Sequence, residues 1–103
     1  MTSDNIVVRK GETFTITLKS NPQSGYLWYF DAYLDEAGNL NKNPTVQIMD
    51  EIKEPLRNYS GSLQHFKFMA TNIGITNLSF IYKRSWETTP YTVKEFEILS
   101  SEE

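Results

Sequence analysis

Residues 13–19 read Thr-Phe-Thr-Ile-Thr-Leu-Lys, so every second side chain is apolar. A period of two places these apolar side chains on one face of a β-strand and the threonines on the other. The same alternation recurs over residues 65–70 and 77–83. No segment keeps the period of a helix, and residues 32–40 are compatible with a hairpin or with one helical turn. The chain is therefore predicted to be all-β.

Further short strands bring the total to seven or eight, and their apolar runs lie at 6–8, 27–30 and 46–48. Short strands separated by turns predict an immunoglobulin-like antiparallel β-sandwich, here a single domain over residues 1–103. Trp28, in the third strand, is typical of the core of such a domain. Because the chain has no cysteine, packing alone must hold the sheets together.

Local patterns carry three finer predictions. The run at 27–30 is apolar on both faces, which predicts a central strand covered on two sides. The apolar positions change parity near residues 94–95, which predicts a β-bulge on an edge strand. The acidic tail, residues 100–103, is expected to fray.

The composition excludes several classes of protein. Ten basic and thirteen acidic residues give a net charge of −3 and a pI near 5.1, so nucleic acid is not an expected partner. No apolar run is long enough for membrane insertion. With no cysteine and one histidine, His65, we expect neither a metal site nor a cofactor. We also expect the protein to be a monomer on its own.

The first residues lack the charged region followed by an apolar one that a secretory signal requires. We therefore expect a cytoplasmic protein if the chain is complete, and an endolysosomal or secreted one if a signal has been removed. Asn58 and Asn77 each occupy a glycosylation pattern, which matters only in a secretory compartment.

Three loops carry residue types of a binding site. The first, residues 21–26, combines the fixed φ of Pro22 with the freedom of Gly25 to adopt a positive φ, which predicts a compact, stiff turn. The second, 53–63, is a long connection, and the third, 83–89, holds Arg84 and Trp86, residue types that dominate binding hot spots. In an immunoglobulin-like sandwich the loops after strands two, four and six gather at one end.

Each loop also has a purely structural interpretation. The first can be an ordinary tight turn, and the second an ordinary surface loop. In the third, Trp86 can fold back onto the sandwich with Arg84 stacked over its ring.

The loop residues resemble those of a known family. The segment Asn21-Pro22-x-x-Gly25-Tyr26-x-Trp28 is similar to the Asn-Pro-Thr-Thr-Gly-Tyr-x-Trp motif of the chagasin family of cysteine-protease inhibitors. The third loop looks like that family's Arg-Pro-Trp-Glu loop, with Ser85 in place of the proline. In the second loop, Gly61 alone matches the family's Gly-x-Gly-Gly pattern. The three motifs occur in the family's order.

The resemblance implies reversible, tight binding to papain-like, cathepsin-type cysteine proteases by a protein that is not an enzyme. The first loop would enter the active-site cleft, and the other two would grip its walls. The implied protease-binding residues are Asn21, Pro22, Gln23, Ser24, Gly25, Tyr26, Tyr59, Ser60, Gly61, Ser62, Arg84, Ser85 and Trp86.

Two other classes of function compete with inhibition. An immunoglobulin-like carbohydrate-binding or adhesion module would place its aromatic residues on a flat sheet face, or beside acidic calcium ligands such as Asp50, Glu51 and Glu54. A hydrolase would need a base, and His65 lies mid-strand on the expected wet face without a nucleophile and an acid at recognisable spacing.

Overall fold

The computed structural model describes residues 4–56 and 61–102. Its elements in chain order are the strands β1 (Asp4–Arg9), β2 (Thr13–Ser20), β3 (Tyr26–Leu34), β4 (Val46–Pro55), β5 (Ser62–Ala70), β6 (Gly74–Arg84) and β7 (Thr92–Ser101), with one 3-10 turn at Pro22–Ser24.

The strands form two sheets packed face to face. One sheet has four strands in the order β1-β7-β6-β3, and the other has three in the order β2-β5-β4. Neighbouring strands run antiparallel, except that β1 and β7 pair in parallel. The predicted immunoglobulin-like sandwich is confirmed, with seven strands and one parallel pair at the edge of the larger sheet.

The core between the sheets is rich in aromatic rings. Phe66, Phe68 and Phe80 are fully buried on the inner faces of β5 and β6. Phe80 meets the other two rings edge to face, with centroids 4.9 Å from Phe66 and 6.2 Å from Phe68, an arrangement that ring quadrupoles favour. Trp28 is 8% exposed and joins this core, as the sequence predicts.

Strand β3 lies at the edge of its sheet, so the prediction of a central strand covered on two sides is wrong. Trp28 faces the core, whereas Tyr29 faces outward and is half-buried. The ammonium of Lys83 lies 5.2 Å from the centroid of the Tyr29 ring. A long basic side chain thus covers the outward ring, and no second protein layer is needed.

Strand β7 passes residues 94–95 in regular register with β6, so the predicted bulge there is wrong. Tyr91 and Val93 are exposed side chains, 76% and 36% respectively, which explains why their parity differs from that of buried Phe96. The observed register shifts lie between Phe30 and Ala32 and between Ile48 and Asp50.

The prediction that the tail frays from Ser100 onward is wrong. Ser100 is fully buried, and β7 continues to Ser101 in parallel register with β1. The N–H of Lys10 donates to the carbonyl of Ser101 at 2.8 Å. Pairing with β1 therefore holds the end of β7 in place.

Strand β4 extends further than its apolar pattern indicates. It runs to Pro55, which pairs with Ser62, so the connection predicted at 53–63 shortens to residues 56–61. Of the two alternatives for residues 32–40, the hairpin is confirmed, because Leu34 forms a bridge to Leu40 across the turn. In the part of the chain that the structure describes, no helix is long and apolar enough to cross a membrane.

Candidate functional site

The register of the two sheets brings the three predicted loops together. Tyr26, the first residue of β3, pairs with Arg84, the last residue of β6. Ser20, the last residue of β2, pairs with Ser62, the first residue of β5. The loops that follow β2, β4 and β6 therefore start from one end of the sandwich, as the order of the strands predicts.

Residues 21–26, called the wedge loop below, form a closed turn. Asn21 and Tyr26 form a bridge at its base, and Pro22 begins a 3-10 turn in which no residue is buried. Gln23 is exposed in the middle of this turn. Gly25 ends it at φ 87° and ψ −4°, a left-handed conformation that glycine adopts without strain. The predicted compact turn is confirmed.

Three carbonyl groups of the wedge loop are bound within the protein. The carbonyl of Asn21 accepts the N–H and the hydroxyl of Ser24, at 3.1 and 2.8 Å. The carbonyl of Pro22 accepts the N–H of Gly25 at 3.0 Å. The carbonyl of Ser24 accepts Nε of Arg84 at 3.0 Å. Straightening the loop would break these bonds, so they oppose an extended conformation.

Arg84, at the end of β6, contacts and stabilises the wedge loop. Its guanidinium carbon lies 4.6 Å from the centroid of the Tyr26 ring and 5.8 Å from that of Trp86. A carboxylate oxygen of Glu87 lies 3.9 Å from a terminal nitrogen of Arg84. A planar cation that stacks on a ring while donating from its edge is an arrangement that lysine cannot reproduce.

Trp86 lies against the wedge loop and stays open to solvent. A Cβ added at Gly25 would be 2.9 Å from Cη2 of Trp86, yet the tryptophan is 71% exposed. Ser85, beside it, is exposed as well. Trp86 also lines an open recess of about 370 Å³ with residues 87–89. The indole is therefore presented next to the wedge loop and does not fold back onto the sandwich.

Two tyrosines that are not among the predicted protease-binding residues also contact the wedge loop. Tyr82 stacks on Tyr26 with ring centroids 5.2 Å apart, and its hydroxyl accepts the N–H of Asn21 at 3.1 Å. Tyr91 meets Tyr26 edge-on at 5.7 Å. Tyr82 shares the parity of the buried positions of β6, so the sequence pattern indicates a core residue and not a contact of the wedge loop. Its spacing of two from Arg84, which places both on one strand face, was the available signal.

The second loop is described only at its ends. The N–H of Leu56 donates to the carbonyl of Gly61 at 3.1 Å, which closes the loop. A Cβ at Gly61 would lie 3.1 Å from the carbonyl oxygen of Ser20, so the backbone packs closely against β2. Ser62 is 6% exposed and its hydroxyl lies 3.0 Å from that of Ser20, beneath the loop. Two further predicted contacts lie outside the described residues: Tyr59 and Ser60.

His65 lies on the outer face of β5. Its Nδ1 is 2.8 Å from the hydroxyl of Thr17, and its Nε2 is 2.9 Å from a carboxylate oxygen of Glu54. Hydroxyl, imidazole and carboxylate stand in the order of a hydrolytic triad. However, Thr17 lies mid-strand on an exposed sheet face, which offers a substrate neither enclosure nor a turn that could stabilise an oxyanion.

The acids considered as calcium ligands have protein partners. Glu54 contacts His65, and Glu51 accepts a hydrogen bond from Nε2 of Gln64 at 3.2 Å. Within residues 4–56 and 61–102, no group of three or more His, Cys, Asp or Glu side chains could hold a metal ion. Among the described residues, the strongly exposed aromatic side chains are Trp86 and Tyr91. They lie in one loop, whereas a carbohydrate-binding module would carry them on a flat face.

Comparison with known protein families decides between these functions. Residues 7–99 match the model of the chagasin family peptidase inhibitor I42. The chain belongs to the chagasin family of peptidase inhibitors. The protein is therefore an inhibitor and not an enzyme, in agreement with the motifs in its loops.

Among the proteins similar to this chain are one relative and two solved structures. Amoebiasin-1 of Entamoeba histolytica is 30% identical over 90 residues, which cover 84% of this chain and 82% of that protein. The cysteine protease inhibitor EhICP2 of Entamoeba histolytica superposes with a TM-score of 0.74 at 17% identity, over 95% of this chain and 86% of that one. PbICP-C, solved in complex with falcipain-2, gives 0.61 at 16% identity, over 97% and 88%. At these identities the two superpositions establish the common fold.

Proposed function

We propose that this inhibitor binds papain-like cysteine proteases reversibly and tightly by inserting the wedge loop into the active-site cleft. The observation that carries the proposal is a turn whose residues 21–24 are exposed while three of its carbonyl groups accept hydrogen bonds from within the protein. Such a loop can fill a cleft without adopting the conformation of a substrate.

The chemistry of the target explains why the wedge loop would resist cleavage. A papain-like enzyme attacks the carbonyl carbon of an extended peptide, which must lie beside the catalytic thiolate. The carbonyls of Asn21, Pro22 and Ser24 already accept hydrogen bonds. Presenting one of them to the thiolate would require the turn to open. Inhibition then needs no covalent step.

The wedge loop is also ordered before it meets a protease. Pro22 fixes one backbone angle, and the bridge between Asn21 and Tyr26 closes the base of the loop. Little conformational entropy is then lost on binding, which favours high affinity. Because the hydroxyl of Ser24 is bonded within the loop, Pro22 and Gln23 supply the surface that would enter the cleft.

The other two loops would contact the walls of the cleft. Trp86 is an exposed aromatic anchor with Ser85 beside it, and the second loop would contribute Tyr59, Ser60 and Gly61. In this arrangement, two of the predicted contact residues would support the loops from within the inhibitor. Arg84 holds the carbonyl of Ser24, and the buried Ser62 supports the base of the second loop.

The family comparison supports the choice of target class. The match is to a family of peptidase inhibitors, and EhICP2 is described as a cysteine protease inhibitor. PbICP-C was solved in complex with falcipain-2. No calcium site or flat aromatic face among the described residues favours the carbohydrate-binding alternative.

Titration of papain and of a lysosomal cathepsin tests the proposal, with a serine protease of the trypsin class as the control. We expect stoichiometric loss of activity in both cysteine proteases, recovery on displacement by excess substrate, and an inhibitor of unchanged mass. A cathepsin with alanine in place of its catalytic cysteine should bind comparably. Inhibition of the serine protease, or cleavage between residues 21 and 26, would contradict the proposal.

A further inference from the structure

The ring of Tyr82 lies between the core of the sandwich and the wedge loop. On one side it packs against Trp28, with centroids 4.8 Å apart and an interplanar angle of 34°. On the other side it stacks on Tyr26, with centroids 5.2 Å apart and an angle of 23°. Because Trp28 is buried, the position of the Tyr82 ring is set by the core.

The hydroxyl of Tyr82 reaches the point at which the wedge loop begins. It accepts a hydrogen bond from the backbone N–H of Asn21 at 3.1 Å. Asn21 also forms the bridge to Tyr26, so this N–H lies at the base of the loop. The loop is thus attached at its base by the hydroxyl and at its far side by Arg84.

We propose that Tyr82 is a positioning residue of the inhibitor, whose hydroxyl holds the wedge loop in the orientation that enters the protease cleft. The proposal rests on the proposed function. Tyr82 would act through Asn21 and Tyr26 and would not itself touch the protease.

The expected size of the effect follows from the strength of one hydrogen bond. Without the acceptor, the N–H of Asn21 turns to water and the loop samples other orientations. A neutral hydrogen bond of this kind biases such an equilibrium by about fivefold. Apparent affinity falls with the fraction of molecules that are competent to bind. Tyr82→Phe should therefore raise the inhibition constant, by about fivefold at most.

Tyr33→Phe is the matched control. The hydroxyl of Tyr33 accepts the N–H of Ile48 at 2.9 Å, the same type of bond to the same type of donor. Tyr33 lies near the opposite end of β3 from the wedge loop. Both variants lose one hydroxyl and keep their ring, so urea denaturation should show a similar small loss of stability. Only Tyr82→Phe should weaken inhibition.

Amide hydrogen exchange by NMR gives a readout that needs no protease. Tyr82→Phe should speed exchange at Asn21 by several-fold and leave Ile48 unchanged, and Tyr33→Phe should do the reverse. If the wild-type protein inhibits no papain-like protease but Asn21 exchanges faster in Tyr82→Phe, the proposed function falls and the positioning role stands.

The remaining outcomes overturn the positioning role. If the wild type inhibits papain, they are a Tyr82→Phe variant with an unchanged inhibition constant or a Tyr33→Phe variant that loses inhibition equally. Whether or not the wild type inhibits, the third is an Asn21 amide whose exchange does not change in Tyr82→Phe.

Discussion

The side-chain amide of Gln64 bonds to both the backbone N–H and the backbone carbonyl of Trp28, at 2.8 and 2.9 Å. Gln64 points inward from β5 and is fully buried, whereas Trp28 belongs to the edge strand β3 of the opposite sheet. The amide occupies the position that the peptide group of a further strand would take. It satisfies the backbone hydrogen-bonding groups of Trp28 on the buried part of the β3 edge. It also links the two sheets close to the wedge loop.

Replacing this amide should weaken the fold. Gln64→Leu keeps most of the volume but leaves the N–H and the carbonyl of Trp28 buried without partners. The free energy of unfolding should fall by about 3 kcal/mol, measured by urea denaturation. Gln47→Leu, on the exposed part of β4, is the control and should change it by less than about 0.5 kcal/mol. If Gln64→Leu lowered the free energy of unfolding as little as Gln47→Leu does, water would be replacing the amide without cost.

The two tryptophans should respond oppositely to truncation. Trp28→Ala opens a cavity in the core and should cost about 3–5 kcal/mol of unfolding free energy or prevent folding. Trp86→Ala should leave the melting temperature nearly unchanged and weaken inhibition of papain about thirtyfold, because it removes an exposed anchor. If Trp86→Ala destabilised the protein while the folded fraction inhibited normally, Trp86 would be a packing residue.

Gly25 and Gly38 form a matched pair, since both have φ 87°. An alanine at either position is strained by the positive φ, at a cost of about 1 kcal/mol. Only at Gly25 would the new Cβ meet Trp86, at 2.9 Å, whereas nothing lies within 4 Å at Gly38. Gly25→Ala should therefore weaken inhibition by about tenfold or more, and Gly38→Ala should leave it unchanged.

A double-mutant cycle isolates that contact. If displacement of Trp86 causes the loss, Gly25→Ala should weaken inhibition less in the Trp86→Ala background than in the wild type. Strictly additive effects on the inhibition constant would assign the loss to the turn itself.

Ser100 offers a stabilising substitution. Its hydroxyl is the one buried side-chain oxygen or nitrogen atom among the described residues that has no hydrogen-bond partner. Ser100→Ala removes that unsatisfied group and should raise the unfolding free energy by about 1 kcal/mol. Thr76→Val is the contrast, because the hydroxyl of Thr76 accepts the N–H of Thr45 at 2.9 Å. That variant should lower stability, as thermal denaturation of both would reveal.

Much of the architecture is determined by local sequence. Alternation over 13–19 specifies a strand and its buried face whatever surrounds it, because successive side chains of a strand point to opposite sides. The turn at the wedge loop is equally local. Pro22 restricts φ, Gly25 accepts the left-handed conformation, and the hydroxyl of Ser24 bonds three residues back.

The tertiary structure alone decided which distant groups meet. An apolar run does not reveal whether its outward face is covered by a second layer or by one lysine, so the sequence does not show that β3 is an edge strand. Nor does the sequence show that Val93 is an exposed apolar residue, so its parity imitates a bulge that β7 does not have. The bond from Asn21 to Tyr82 spans 61 positions of the chain, and that from Trp28 to Gln64 spans 36. Such contacts depend on strand order and register, which the packing of the whole core sets and which no local period encodes.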